Sequence, residues 1–180
     1  MKIMIIGSPG SGKSTYSRAI GQALNYPIFY LDQHWHQTDY SPAAKLNLNA
    51  QQNRFLEDHQ DCIVDGNYSS TMPDRLQRAD LIIWLQIPRI VAVMRVVQRS
   101  LGQKWFNKQR PDMAAAFSEH FNVEYWQFLK FVWDYPRRNY QLVQDYYQKY
   151  APTKKLVILH NRREKATFLA TLSASLSRPK

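Results

Sequence analysis

Short apolar runs recur along the chain, separated by longer stretches in which apolar positions return every three or four residues. Ile3-Met4-Ile5-Ile6, Ile28-Phe29-Tyr30-Leu31, Cys62-Ile63-Val64, Leu81-Ile82-Ile83-Trp84-Leu85 and Leu156-Val157-Ile158-Leu159 read as strands. Such runs, uninterrupted by polar residues, suit strands covered on both faces, as in a parallel sheet. After the first run, Tyr16, Ile20, Ala23 and Leu24 follow helical spacing until Asn25 and Pro27 stop the helix. The alternation predicts an α/β domain with a mostly parallel, five-stranded sheet between layers of helices.

Residues 86 to 155 separate the fourth and fifth strands, far more chain than the dozen or so residues a helical crossover needs. An insertion is expected here. It carries Lys104, Lys108, Arg110, Arg137 and Arg138 among Trp105, Phe106, Trp126, Phe131 and Trp133. From Val123 to Tyr150 the apolar positions repeat at helical spacing, and Pro136 is expected to split or kink that run. Interleaved cations and aromatics also occur in base-stacking platforms, but the helical spacing favours a packed helical insertion.

With 180 residues and 44% hydrophobic content, the chain suits one compact domain, 1–180. The N-terminal apolar stretch is too short for a signal peptide, and no segment approaches the roughly 18 apolar residues of a membrane span, so a cytoplasmic protein is expected. Cys62 is the only cysteine, which excludes an internal disulfide and a cysteine-based zinc site. A net charge of +10 points to anionic partners without choosing between nucleotides and nucleic acid.

The chemistry is most legible directly after the first strand. Gly7-Ser8-Pro9-Gly10-Ser11-Gly12-Lys13-Ser14 fits G-x-x-x-x-G-K-[ST] at every fixed position. Glycines let the backbone turn tightly and bring its N–H groups close to phosphate oxygens, and the following helix aims its positive end at the same place. Gly7 through Thr15 is therefore the expected ATP site. Lys13 would reach the β- and γ-phosphates, and the Ser14 hydroxyl would take one position around Mg²⁺.

In open parallel sheets, ligands sit beyond the carboxyl ends of the strands. The second strand ends before Asp32, followed by His34, Trp35 and His36; the third ends at Asp65-Gly66-Asn67-Tyr68; the fifth ends at His160-Asn161, where Asn161 and Glu164 also fit a helix N-cap pair. Asp32, His34, Trp35, Asp65, Gly66, Asn67 and Tyr68 are the candidate acceptor-binding residues, with His36 beside them. Arg95 and Arg99, four apart on an expected helix, project from one face.

On these residues the chain resembles the nucleoside-monophosphate-kinase and shikimate-kinase branch of the P-loop fold. Besides the phosphate loop, Asp65-Gly66 is similar to the Asp-Gly of adenylate kinases, and Pro88, Arg95 and Arg99 are spaced as those enzymes space a proline and two arginines where their lid begins. Leu31-Asp32, Ile63-Val64-Asp65-Gly66-Asn67-Tyr68 and Arg110-Pro111-Asp112-Met113 further resemble small bacterial topology modulation proteins, adenylate-kinase-related, over nearly the full length. The resemblance implies a three-layer α/β/α P-loop NTPase fold with a lid-like helical insertion at 100–138. It also implies transfer of the γ-phosphoryl of ATP·Mg²⁺ to a small acceptor, whether nucleotide, nucleoside or small alcohol. Lys13, Arg95 and Arg99 would stabilise the moving charge, Arg137 and Arg138 would return from the lid, Asp65 would hold Mg²⁺ through water, and Asp32 would orient the attacking hydroxyl. Plainer readings stand beside these: a turn-forming Asp-Gly pair at 65–66 and solvated helix faces for the arginines.

Two departures bear on the acceptor. Adenylate kinases place an arginine four residues after the Asp of Asp-Gly, where this chain has Ser69, and a second arginine after the second strand is replaced by the region of His34, Trp35 and His36. Losing two guanidinium forks argues against AMP, unless Arg54, Arg75 or Arg78 compensates. A nucleotide-dependent, DNA-associated protein is the second function class, resting on the family label and the charge, with no helix-turn-helix, zinc-finger or RNA-recognition signature in support. A GTPase is disfavoured, because Asn107-Lys108-Gln109-Arg110 lacks the Asp of a guanine-selecting motif.

Overall fold

The computed structural model describes residues 1–106 and 123–176. Its five strands, β1 (Lys2–Gly7), β2 (Ile28–Tyr30), β3 (Cys62–Asp65), β4 (Leu81–Leu85) and β5 (Lys155–Leu159), form one all-parallel sheet in the order β2-β3-β1-β4-β5. Helices flank it as α1 (Lys13–Leu24), α2 (Leu31–Trp35), α3 (Pro42–Asp58), α4 (Met72–Arg78), α5 (Arg89–Phe106), α6 (Val123–Tyr150) and α7 (Arg162–Leu176). The fold is the expected three-layer α/β/α sandwich.

Alternation along the strands sorts the apolar side chains into two layers. Ile3 and Ile5 of β1, with Ile63, Ile83 and Leu159, pack against Tyr16 and Ile20 of α1 and Leu172 of α7. Met4 and Ile6 point the other way, with Ile82 and Trp84, onto Met72 and Leu76 of α4 and Val143 of α6. Phe29 and Val64 continue towards the β2 edge, where Leu48 and Leu56 of α3 cover them. Trp84, 1% exposed, meets Tyr140 of α6 edge-on at 5.1 Å.

Three local expectations change. Leu31 is not the end of the second strand but the first residue of α2, where it is fully buried against the α3 layer. His34 and Trp35 accordingly lie on a short helix, with His36 at its end. α6 runs through Pro136 as one helix rather than splitting into two. The missing proline N–H forfeits one helical bond, but burial of Val132, Tyr135 and Val143 on both sides of it holds the helix to its neighbours. Asn25 ends α1 as anticipated, in the left-handed region at φ 56°, and Asn161 caps α7, its Oδ1 accepting the Glu164 N–H at 2.9 Å.

Of the insertion, Lys108, Arg110 and the Arg110–Met113 stretch lie outside the described residues, as do the side chains of residues 103–106. Among the described residues, no helix is long and apolar enough to cross a membrane.

Because Trp84 joins the sheet to α6, Trp84→Ala is expected to cost about 3–5 kcal/mol of stability. Urea unfolding followed by circular dichroism checks this; a loss below about 1 kcal/mol would mean that α6 is not packed on β4 as described.

Candidate functional site

Glycine sets the path of the phosphate loop. Gly10 and Gly12 take φ of 77° and 83°, a region that L side chains avoid. A Cβ on Gly10 would stand 2.4 Å from the Ala92 carbonyl oxygen, and one on Gly7 would stand 2.4 Å from that of Leu85. The loop is thus pressed against the end of β4 and the first turn of α5. Gly12 caps α1 without a side-chain hydrogen bond, so the cap residue itself supplies no acceptor to the helix N-terminus.

The loop's carbonyl oxygens are covered by cations from three helices. Lys13 Nζ donates to Gly7 O at 2.9 Å and to Ser8 O at 3.2 Å. Arg95 of α5 donates from Nη1 to Gly10 O at 3.4 Å, and Arg99 lies one turn further along the same helix. Lys165 of α7 donates from Nζ to Ser11 O at 2.6 Å. The Ser8 and Ser11 hydroxyls are buried without a hydrogen-bond partner among the described residues. A glycine cradle that no Cβ could enter, ringed by positive groups, fits a polyphosphate.

Lys165 is absent from the residues singled out in the sequence. One signal pointed to it: Arg162, Arg163 and Lys165 occupy the first turn of a helix, where the helix dipole disfavours positive charge. Burial, reinforced by repulsion from Arg95, Lys13 and Arg162, pushes the Lys165 ammonium down to about 8.

The turn after β3 forms the other half of the site. The Asn67 amide brackets the Gly7 peptide: the Gly7 N–H donates to Oδ1 at 2.9 Å, and Nδ2 donates to Gly7 O. This pair continues the β1–β3 ladder by one step past the Gly66 N–H···Ile5 O bond of 3.2 Å. Gly66, at φ 146°, leaves no room for a Cβ, which would meet that of Leu31 at 2.7 Å. Beneath the turn, Arg75 of α4 is 1% exposed and donates to Gly66 O at 2.8 Å and Tyr68 O at 2.9 Å. Burial pushes its guanidinium below the ordinary value, opposed by the nearby charge of Asp65, itself 3% exposed. An arginine stays charged under such a shift.

Tyr68 carries the turn to Asp32. Burial, then the charge of Asp32 and a hydrogen bond to it, push the Tyr68 phenol far above its ordinary value, so it remains a neutral donor. Trp35 packs near Tyr68 and Tyr40, with ring centroids 5.8 and 5.4 Å away. His34 instead stacks on Phe29 at 4.0 Å and meets Gln51 of α3 at 3.0 Å; burial lowers its pKa. His36 Nδ1 lies 3.1 Å from the Tyr40 hydroxyl.

The structure therefore joins the loop, Arg95, Asp65–Tyr68 and Asp32 through named contacts. Arg137 and Arg138, exposed on α6, are joined to none of these by a described contact; Arg138 lies 3.7 Å from Asp134. Of the three arginines that could compensate, two are engaged elsewhere. Arg75 is committed to backbone carbonyls, Arg78 donates to Glu57 at 3.0 Å, and Arg54 is exposed on α3.

Neither a protein-family model nor a curated protein sequence matches this chain. Solved structures similar to it include a deoxyadenosine kinase from M. mycoides with bound dATP, 17% identical with a TM-score of 0.52 over 99% of this chain and 100% of that one. A shikimate kinase from Bacteroides thetaiotaomicron is 16% identical, with a TM-score of 0.57 over 99% of each chain. A gluconokinase from Sinorhizobium meliloti 1021 is 16% identical, with a TM-score of 0.50 over 97% of this chain and 94% of that one. The likeness shows a P-loop kinase fold.

Replacing Arg75 by Met removes a positive charge near buried Asp65 and leaves the Gly66 and Tyr68 carbonyls without their donor, for an expected loss of about 3–5 kcal/mol. Asn67→Leu strips the Gly7 N–H of its acceptor and is expected to cost about 1–3 kcal/mol. Denaturant unfolding of both variants measures these losses; values near zero would show that the turn does not depend on them.

Proposed function

We propose that this chain is an ATP-dependent small-molecule kinase that phosphorylates a hydroxyl of a neutral acceptor bound beside Asp32. The observation that carries the proposal is the convergence of Lys13, Arg95 and Lys165 on the carbonyls of one glycine loop, to which Asn67 ties the Asp32–Tyr68 side. Similar folds in a deoxyadenosine kinase, a shikimate kinase and a gluconokinase support this class of reaction, as does the sequence resemblance to adenylate-kinase-related proteins.

Each residue follows its chemistry. The loop amides and the Lys13 ammonium, released from Gly7 O, take phosphate oxygens; Asn67 keeps that carbonyl bonded when Lys13 leaves. Ser14, with Asp65 through water, would hold a Mg²⁺ bound with the nucleotide, which would neutralise phosphate charge. The acceptor oxygen bonds to the γ-phosphorus as the bond to the β,γ-bridging oxygen breaks. The hydroxyl proton passes to the Asp32 carboxylate and ADP leaves. Arg95, with Arg99 beside it, offsets charge on the moving phosphoryl group.

The acceptor class follows from what surrounds Asp32. Arg75 and Arg78 are engaged elsewhere, whereas Trp35, Tyr40 and Tyr68 offer ring faces. A nucleoside or ring-bearing alcohol fits this wall better than a phosphate monoester, which calls for a guanidinium fork.

An ADP-release screen is expected to give turnover with nucleosides or neutral alcohols and little with nucleoside monophosphates. Lys13→Ala should abolish it, and Asp32→Asn should lower turnover by about 10²–10⁴-fold while leaving ATP affinity in place. Arg95→Ala is expected to cost up to about 10³-fold in turnover, with a smaller effect on ATP binding. Release of ADP with no acceptor tested, or with monophosphates alone, would refute the assignment.

A further inference from the structure

Three features set Lys165 apart from an ordinary surface lysine. It belongs to α7, beyond the fifth strand, yet its ammonium lies 2.6 Å from the Ser11 carbonyl and 3.9 Å from where a Cβ on Gly12 would stand. It is only partly exposed, and its backbone carbonyl accepts the Tyr16 hydroxyl at 2.9 Å, which pins the first turn of α7 to α1. The charged groups acting on it are all positive: Arg95 from α5, Lys13 from α1 and Arg162 from its own helix. The neighbouring carboxylate, Glu164, is engaged with the His160 N–H at 2.6 Å and with the Asn161 amide.

Placing that charge in the first turn of a helix, beside other cations and partly out of water, is unfavourable on all three counts. One carbonyl oxygen does not offset a cluster of positive groups; an anion does. Local electrostatic rules broken together are expected at functional sites.

We propose that Lys165 is a second ammonium of the nucleotide site, exchanging the Ser11 carbonyl for a phosphate oxygen of the bound nucleotide. This rests on the reading of Gly7–Thr15 as a nucleotide loop. Lys13 reaches the loop from its own helix, whereas Lys165 reaches it from α7, so the bound phosphates are held from both helices.

The proposal carries a proton signature. In the free protein the Lys165 ammonium titrates near about 8 rather than at 10.5. A phosphate oxygen favours the charged form and raises that value again. Below about pH 7 both states are protonated and binding moves no proton. Above about pH 8 the free protein has lost the proton, so binding must take one up and affinity falls with rising pH, by at most about tenfold per pH unit for one group. The ionisable groups facing it are Arg95 and Arg162, which stay charged in this range, and Lys13, which the variants below hold constant.

Calorimetric binding of ATP and of inorganic tripolyphosphate, at pH 7.5 and 9.5, tests this on the full chain. For wild type, both probes should bind more weakly at the higher pH. Lys165→Met should weaken both at pH 7.5 by about tenfold to a hundredfold, as loss of a charge-assisted hydrogen bond does, and should flatten the pH dependence. Lys165→Arg, which keeps a charge that does not titrate here, should stay within a few fold of wild type at pH 7.5 and should also be flat. That rescue separates a phosphate contact from a purely structural strut, as does an unchanged melting temperature of Lys165→Met without ligand. Wild-type affinity in Lys165→Met overturns the proposal, as does a pH slope that persists in Lys165→Arg. A loss confined to ATP, with tripolyphosphate unaffected, overturns the phosphate assignment. If the wild type itself binds neither probe, the nucleotide-loop reading falls as well.

Discussion

The buried guanidinium of Arg75 fixes the turn after the third strand, and both halves of the site depend on that turn. From α4 it donates to the carbonyls of Gly66 and Tyr68, two residues whose neighbours face opposite ways in function. Asn67 reaches across to bracket the Gly7 peptide of the phosphate loop, while Tyr68 holds Asp32. A cation taken fully out of water is costly and needs well-placed acceptors and a counter-charge; the two carbonyls and Asp65 supply them. Commitment of Arg75 to this anchoring is also the reason it does not serve as a phosphate fork.

Around the loop the balance runs the other way. Lys13, Arg95 and Lys165 sit together, each donating to backbone carbonyls of the loop. Burial, and after it repulsion from Arg95, Lys13 and Arg162, depresses the proton affinity of Lys165. A fold that tolerates this arrangement while packing Ile3, Ile5, Ile20 and Ile83 to 1% exposure or less stores an unfavourable field where a polyanion relieves it. Rigid glycine packing against Leu85 and Ala92 keeps the cradle open to backbone–phosphate contact.

Much of this was legible in residue patterns, for reasons that hold locally. Apolar runs marked all five strands, most plainly β1, β3 and β4, which are buried nearly throughout, and the glycine loop declared itself because its backbone angles exclude other residues. The Asn25 stop and the Asn161 cap are likewise short-range effects. What escaped is set by contacts distant in sequence. Nothing in the string links Lys165 to Ser11, or distinguishes Arg75 beneath the turn from Arg78 on the surface. Leu31 looked like the end of a strand because its burial comes from α3 packing, and a helix carries it equally well. Pro136 looked like a breaker because the propensity of one residue was weighed without the buried neighbours on both sides that keep α6 one helix.

If the turn at Asp65–Tyr68 and the loop at Gly7–Ser14 are one mechanical unit, they must respond to nucleotide together. Peptide-resolved hydrogen exchange of the wild-type protein, with and without magnesium and a nonhydrolysable ATP analogue, measures that most directly. The account predicts that amides at 7–14 and at 66–68 slow in concert when the analogue binds. Slowing at 7–14 while 66–68 exchanges as before would contradict it.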